Sequence, residues 1–279
     1  MRKTVALLTD FGLDDVYVGV MKGVMRGICA EVDFIDVTHR IEAQSVREGA
    51  FALLNSYAYF PQGTVFLVIV DPAVGSARRP IAVQAGGYAF VAPDNGVLSY
   101  TLRQFDDLQA VELNLPQFHR QSISATFHGR DVFAPVAAHL AEGRRLDEIG
   151  TPISGLFEFP LPYLEVEAQR IMGEVLHIDH FGNVITSIGK VAWREQRLEL
   201  SPIDNRQPMA RFGADSVVIY VQDERIFGVQ RAYHEVERGQ LLAQIDSNGY
   251  LELAVNQGNA AKRLQLTVGD RIEIRLSED

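Results

Sequence analysis

Residues 65–80 read VFLVIVDPAVGSARRP. The apolar run from Val65 to Val70 is short and rich in β-branched side chains, which predicts a strand buried on both faces. Asp71 stands where that strand must end, followed by a turn through Gly75 and then by Arg78 and Arg79. Ligands of open parallel sheets bind beyond the carboxyl ends of the strands, so this strand end is a candidate site. Two readings stay open at this point. Asp71 and Arg78 hold a ligand between them, or they brace a loop as a surface ion pair worth roughly 0–1 kcal/mol. Arg79 is expected to be an ordinary surface residue.

Outward from this stretch, strand-like and helix-like segments alternate up to about residue 150. Thr4–Leu8 predicts a first strand ending in Thr9-Asp10-Phe11-Gly12, and its brevity argues against a secretion signal. Asp15 to Ile28 has helical spacing, with Val16, Val20, Gly23/Val24 and Gly27 on one side. Val32–Val37 predicts a second strand. Ser45 to about Tyr59 predicts a helix with Glu48 in capping-box position. Pro80–Ala85 and Tyr88–Ala92 are further strands, followed by the turn Pro93-Asp94-Asn95-Gly96 and a short helix to Leu102. Pro135 suits the first turn of the apolar helix around Val132–Leu140. The pattern predicts an N-terminal α/β domain over residues 1–155 with a mostly parallel sheet.

After Gly150 the character changes. The prolines of 156–170 predict an extended linker, and from Gly173 the apolar runs are short and β-rich. Glu174–Ile178, Asn183–Ile188, Arg197–Leu200, Ser216–Val221, Gln240–Ile245 and Arg271–Leu276 predict a small C-terminal β-barrel-like domain over 171–279.

Composition narrows the partners. A net charge of −10 disfavours sequence-independent binding of nucleic acid. No apolar run reaches the roughly 18 residues of a membrane span. The single cysteine, Cys29, excludes an internal disulfide and suits a cytoplasmic enzyme. The histidines are scattered without ligand spacing, so no metal is expected. Phosphate-loop, dinucleotide-binding, zinc-protease and nucleophile-elbow motifs are absent. Taken singly, the polar strand-end residues have structural readings too. Asp10 and Asp15 suit a helix cap, His128 a helix-start hydrogen bond, and Asp94 with Asn95 a turn.

Seven segments change that reading by occurring together and in order: LLTDFGLDDVYVGVMKG, IDVTHRIEAQSVREGA, VDPAVGSARRPI, VAPDNGVLS, TFHGRDVFAP, IDHFGNVITSI and SNGYLELAVNQGNAAKRL. With them the chain resembles the S-adenosyl-L-methionine hydroxide adenosyltransferase family, relatives of the fluorinase and chlorinase, from about Val5 onward. The resemblance implies hydrolysis of S-adenosyl-L-methionine to adenosine and L-methionine with no cofactor. It also implies a homotrimer whose ligand lies between the N-terminal domain of one subunit and the C-terminal domain of the next.

By the same resemblance the water-activating set is Asp71, Arg78 and His128. Asp10 takes the ribose hydroxyls, and Asp15 and Asp179 face the methionine amino group. Phe181 lies against the adenine and Asn183 bonds to it, while Ser247 and the Asn256 segment meet the methionine carboxylate and the adenine edge. Unlike the halogenases, this chain carries Asp71 and Val74 after the third strand and His128-Gly129 after Thr-Phe, a set that suits water and repels a halide. A binding module without turnover and a halogenase are the competing readings.

Overall fold

Val65–Ile69 is a strand, and all of its residues are buried. Its side chains alternate between two cores, as strand geometry requires. Val65, Leu67 and Ile69 pack with Met21, Met25 and Phe133 on one face, while Phe66, Val68 and Val70 pack with Leu53 and Phe90 on the other. The computed structural model describes residues 3–203 and 209–276. They fall into two units, one ending at Phe159 and one beginning at Pro160.

The first unit runs β1 (Lys3–Thr9), α1 (Tyr17–Ile28), β2 (Val32–Thr38), α2 (Val46–Leu54), β3 (Val65–Ile69), β4 (Pro80–Ala85) and β5 (Tyr88–Pro93). It continues with α3 (Ser99–Leu102), β6 (Gln109–Glu112), α4 (Ala134–Glu142), α5 (Leu146–Ile149) and β7 (Thr151–Pro152). The sheet order is β2-β1-β3-β5-β4-β6-β7. Strands β2, β1, β3 and β5 are parallel, and the rest extend the sheet antiparallel. The order reverses between β1 and β3, where Thr9 pairs with Ile69. That switch point opens a crevice beyond the strand ends bearing Asp10 and Asp71.

Four local expectations need correction. Helix α1 starts at Tyr17, and Val16 holds its cap position without a side-chain bond, so neither Asp10 nor Asp15 caps it. Its packed side is Val18, Met21 and Met25, whereas Val16 and Val20 face outward at 73% and 37% exposure. Helix α2 ends at Leu54, and a separate tight turn spans Tyr57–Tyr59. There the Ser56 hydroxyl donates to Ala52 and Leu53 carbonyls, competing with the helix backbone. Glu48 does not close a capping box with Ser45; its carboxylate accepts from the Glu42 N–H at 2.9 Å.

The second unit comprises β8 (Glu165–Val166), β9 (Arg170–Ile178), β10 (Val184–Gly189), β11 (Val191–Arg194), β12 (Arg197–Leu200) and β13 (Ala210–Gly213). It ends with β14 (Val217–Val221), β15 (Glu224–Phe227), β16 (Leu241–Ile245), β17 (Tyr250–Val255), α6 (Ala260–Leu264) and β18 (Arg271–Leu276). One antiparallel sheet has the order β15-β14-β18-β9-β10-β17-β16, and a bridge between Gln230 and Gln244 draws its two ends together. The result is a nearly closed, barrel-like sheet around Val175, Ile219, Leu253 and Ile274. Strands β11, β12 and β13 form a small sheet of their own. Sequence patterning missed β17, because Glu252 interrupts its apolar run although that carboxylate is buried.

Candidate active site

The loop leaving β3 turns back at Gly75, whose φ is +79°, a conformation that glycine adopts without strain. A Cβ there would lie 2.3 Å from the Ala125 carbonyl oxygen, so the turn also needs glycine to press against the 124–128 segment. That contact carries Arg78 back over the end of β3. Its Nε donates to Asp71 Oδ1 at 3.0 Å and to Oδ2 at 2.9 Å, and Nη2 donates to Oδ2 at 2.5 Å. The same Nη2 lies 3.0 Å from His128 Nδ1. The Asp71 and Arg78 side chains are only 5% and 7% exposed. This is no surface ion pair, and removing one partner of a buried pair leaves an uncompensated charge.

His128 ends the 124–128 segment, and a single wide helical turn, Gly129–Phe133, joins it to α4. The Ala134 N–H donates to the Gly129 carbonyl across that turn, and Pro135 falls in the first turn of α4, where no N–H is needed. Asp131, fully buried, fixes the segment from below: Oδ2 accepts from the Ser124 N–H at 2.9 Å, and Arg130 donates at 2.7 and 2.8 Å. Burial opposes the charge of Asp131, but Arg130 and the Ser124 N–H hold its carboxyl below the usual range. Burial lowers the His128 pKa, and the Arg78 cation lowers it further, so its imidazole is neutral near pH 7. A guanidinium only donates. Nδ1 therefore carries the lone pair and Nε2 the proton.

Asp71 and His128 line a pocket of about 350 Å³ together with Val74, Thr126, Phe127 and Gly129. Phe11 and Tyr17 complete an aromatic wall, edge to face with Phe127 at 6.0 and 5.2 Å. The pocket size is that of a small-molecule site. Sequence reasoning missed Phe11 and Tyr17, whose ring partner Phe127 lies far along the chain, and Asp131, whose partners Ser124 and Arg130 are local but whose burial no spacing marks.

Asp10 leaves β1 beside this pocket, and its Oδ2 accepts from the Gln44 N–H at 2.8 Å. Thr9, just before it, is held by buried His39: Thr9 Oγ1 lies 2.8 Å from His39 Nδ1, and the His39 Nε2 atom is 3.0 Å from the exposed carboxylate of Asp36. Asp15 is exposed at the start of α1. Arg79 departs from its surface expectation. It donates to Asp94 at 2.5 and 2.9 Å and to the Gly155 carbonyl at 2.6 Å, while Asp94 accepts from the Phe157 N–H. Asn95 donates to the Val70 carbonyl at 2.8 Å, fixing the strand end that precedes Asp71. Both turn residues have structural work.

In the second unit Asp179 closes the β9–β10 turn, accepting from the Phe181 and Asn183 N–H groups at 2.9 and 2.8 Å and from Asn183 Nδ2 at 2.9 Å. Phe181 projects from that turn, 72% exposed. The segment after β17 packs on the same turn: Ala261 donates to the Gly182 carbonyl, and Asn256 is pinned to the Val236 carbonyl at 2.8 Å. Ser247 is elsewhere. It lies in the β16–β17 turn, and since Val184 pairs with Leu253 and Gly189 with Tyr250, that turn is a strand length from Asp179. Among the described residues no three His, Cys, Asp or Glu side chains cluster to hold a metal ion.

Two family models match the chain: the SAM hydroxide adenosyltransferase N-terminal domain over residues 5–150 and the C-terminal domain over 173–273. The (R)-S-adenosyl-L-methionine hydrolase of Salinispora tropica is 38% identical, over 97% of each chain. A fluorinase of Nocardia brasiliensis is 28% identical over 99% of this chain and 97% of its own. A crystal structure of an uncharacterized conserved protein from Thermotoga maritima superposes with a TM-score of 0.84 at 36% identity, covering 97% of this chain and 99% of that one.

Proposed function

The chain belongs to the SAM hydroxide adenosyltransferase family, and from that premise we propose that it hydrolyses S-adenosyl-L-methionine to adenosine and L-methionine by attack of one water at C5′. The observation that carries this reading is the buried Asp71–Arg78 pair joined to His128, with Asp71 and His128 lining the pocket. As water approaches, the new O–C5′ bond forms while the C5′–S bond breaks, its electron pair remaining on sulfur. Methionine leaves neutral, so the leaving side needs no acid.

The first product of that step is a protonated 5′-hydroxyl, a strong acid that a carboxylate is basic enough to relieve. We assign the proton to Asp71, from which it passes to solvent. His128 presents Nε2–H to the water oxygen and leaves the other lone pair free for carbon. Arg78 fixes both neighbours and keeps its charge at any workable pH. Positioned acid–base help of this kind contributes typically ~10²–10⁴-fold, and alignment of water with C5′ and sulfur adds to it. No metal is assigned to this step, since the guanidinium at His128 Nδ1 repels a second cation; activity that survives a chelator is the matching expectation.

Asp10 is assigned to the ribose hydroxyls, which one carboxylate can accept from together. Asp15 and Asp179 are assigned to the ammonium group, and Phe181, Asn183 and the Asn256 segment to the adenine. Ser247 keeps its assignment to the methionine carboxylate on the resemblance alone. An interface between copies, as the assigned homotrimer requires, is supported by the apolar residues exposed at and just before the start of α1: Leu13, Val16, Tyr17 and Val20. The lone buried Cys29 supports a cytoplasmic location.

The name of the Salinispora relative specifies the R configuration, and the same sulfonium epimer is proposed here. Incubation of each epimer in ¹⁸O-water tests the reading. Label in the 5′-hydroxyl of adenosine, faster from the R epimer, is expected. Unchanged substrate points to a binding module. A 5′-halo product with added halide points to a halogenase, which the Asp71 carboxylate in the pocket wall disfavours by repelling an anion.

A further inference from the structure

The second unit holds a polar network that the hydrolysis itself does not use. Glu252 and Gln244 are 4% and 5% exposed, and Gln244 Nε2 donates to Glu252 Oε1 at 2.7 Å. The Tyr233 hydroxyl lies 2.8 Å from the same oxygen. Asn183, 7% exposed, turns its amide nitrogen inward, 2.9 Å from Asp179 Oδ2 and 3.4 Å from the Tyr233 hydroxyl. Burial and the hydrogen bond to Glu252 push the Tyr233 phenol up to about 12, so it keeps its proton and donates it to Glu252. The phenol oxygen is then free to accept from Asn183, and both amide hydrogens have acceptors. Reversing the amide would aim Oδ1 at the Asp179 carboxylate. Among the described residues nothing engages Oδ1 in the orientation observed.

We propose that Tyr233, anchored by Glu252 and Gln244, is a positioning residue that fixes the Asn183 amide with Oδ1 outward, so that this subsite selects a purine whose 6-substituent donates a hydrogen bond. A 6-amino group meets that oxygen as a donor. A 6-oxo group meets it as a second acceptor, and a polar subsite left mismatched discriminates more sharply than an apolar one. The inference rests on the reading above, in which the second unit takes the adenosine half of the substrate.

The test compares binding of adenosine and inosine by calorimetry to the full native protein, Tyr233→Phe and Glu252→Gln, with steady-state kinetics on S-adenosyl-L-methionine. Native protein is expected to prefer adenosine. Tyr233→Phe keeps the ring but loses both hydrogen bonds, and is expected to shrink the adenosine-to-inosine ratio roughly 5–10-fold, the size of one neutral hydrogen bond. KM for the substrate rises by the same factor with kcat unchanged. Glu252→Gln, which keeps an acceptor for Tyr233, retains the native ratio. A native ratio in a folded Tyr233→Phe variant overturns the inference and leaves the hydrolytic reading intact. A native protein that hydrolyses the substrate but shows no preference between the nucleosides also overturns it. Failure of the native protein to bind either nucleoside or to turn over substrate removes the hydrolytic reading first, and the inference with it.

Discussion

The two polar clusters of this chain are built on opposite plans. In the first unit, a carboxylate, a guanidinium and an imidazole meet at the end of a fully buried parallel strand, and the ion pair itself is nearly dry. In the second, a carboxylate closes a turn, and an amide, a phenol and a buried glutamate follow in a chain of hydrogen bonds. The first arrangement concentrates charge at the pocket where the reacting water is proposed to sit. The second fixes the direction of one neutral dipole. Charge concentrated in a dry place costs desolvation and is justified by chemistry, whereas an oriented dipole suits recognition. The contrast predicts that damage to the first cluster falls on turnover, and damage to the second on affinity and selectivity.

The largest effect is expected from Arg78→Met. It strands Asp71 beside an unpolarised His128, so kcat falls by at least the ~10²–10⁴-fold of positioned acid–base help. Breaking the buried pair also lowers stability by about 3–5 kcal/mol, readable as a drop in melting temperature. His128→Ala comes next. It is expected to lower kcat within the same ~10²–10⁴ range while KM holds, since the imidazole is assigned to the water rather than to the leaving group. A rise in KM with kcat intact would break the proposed division between the two clusters.

Asp10→Ala sharpens the comparison within the first unit, because Asp10 sits beside the charged cluster and yet is assigned to binding. Loss of charge-assisted bonds to the ribose hydroxyls, worth about 1.5–3 kcal/mol, raises KM roughly 10–100-fold with kcat near native. The Gln44 N–H also loses its acceptor, so melting temperature should be recorded beside the kinetics. An equal loss in both kinetic parameters would place Asp10 with the water-activating residues.

Legibility in the sequence followed the same divide. Val65–Val70 announced its strand, and the strand end announced Asp71, because a parallel sheet concentrates its site at chain positions that hydropathy marks. The convergence of Arg78 with Asp71 was readable from seven residues and a glycine. The packed side of α1 was not, because Val16 and Val20 look as apolar as Val18 and Met21, and periodicity cannot say which of two apolar sides meets the sheet. Arg79 looked like a surface residue because its partners, Asp94 and Gly155, lie far along the chain. Tyr233 was invisible for the same reason: it reaches Asn183 and Glu252 across 50 and 19 residues, and no local spacing encodes that.

A smaller effect is expected at the turn that carries Asp179 and Asn183. Gly182 has a φ of +86°, and a Cβ there would lie 2.0 Å from the Asn259 amide nitrogen. Gly182→Ala therefore adds a clash to backbone strain. Gly239, with a φ of +82° and open space around it, is the matched control, since alanine there meets strain alone. Such strain costs of order 1–3 kcal/mol. The Gly182 variant should melt below the Gly239 variant and lose affinity for adenosine, with kcat at saturation little changed. Equal melting temperatures would mean that Asn259 yields without cost and the turn is looser than its hydrogen bonds imply.

The smallest effect separates the clusters by pH. Burial, and then the Arg78 cation, lower the His128 pKa below the ordinary imidazole value of about 6.5. The neutral form is the one that accepts from Arg78, so kcat should hold from neutrality down through pH 6.5 and fall only as pH drops through the lowered value. Stability follows the same sign. A folded-state pKa below the unfolded one means that the unfolded chain binds the proton first, so the contribution is complete above about 6.5 and is lost as pH falls through the folded value. The adenosine-to-inosine ratio should stay flat over that window, because it is set by Asn183 and by a Tyr233 phenol that titrates far above it. In His128→Ala the acid limb of kcat attributable to this group should vanish. An acid limb that persists unchanged in that variant would remove the imidazole as the source of the acid sensitivity of turnover.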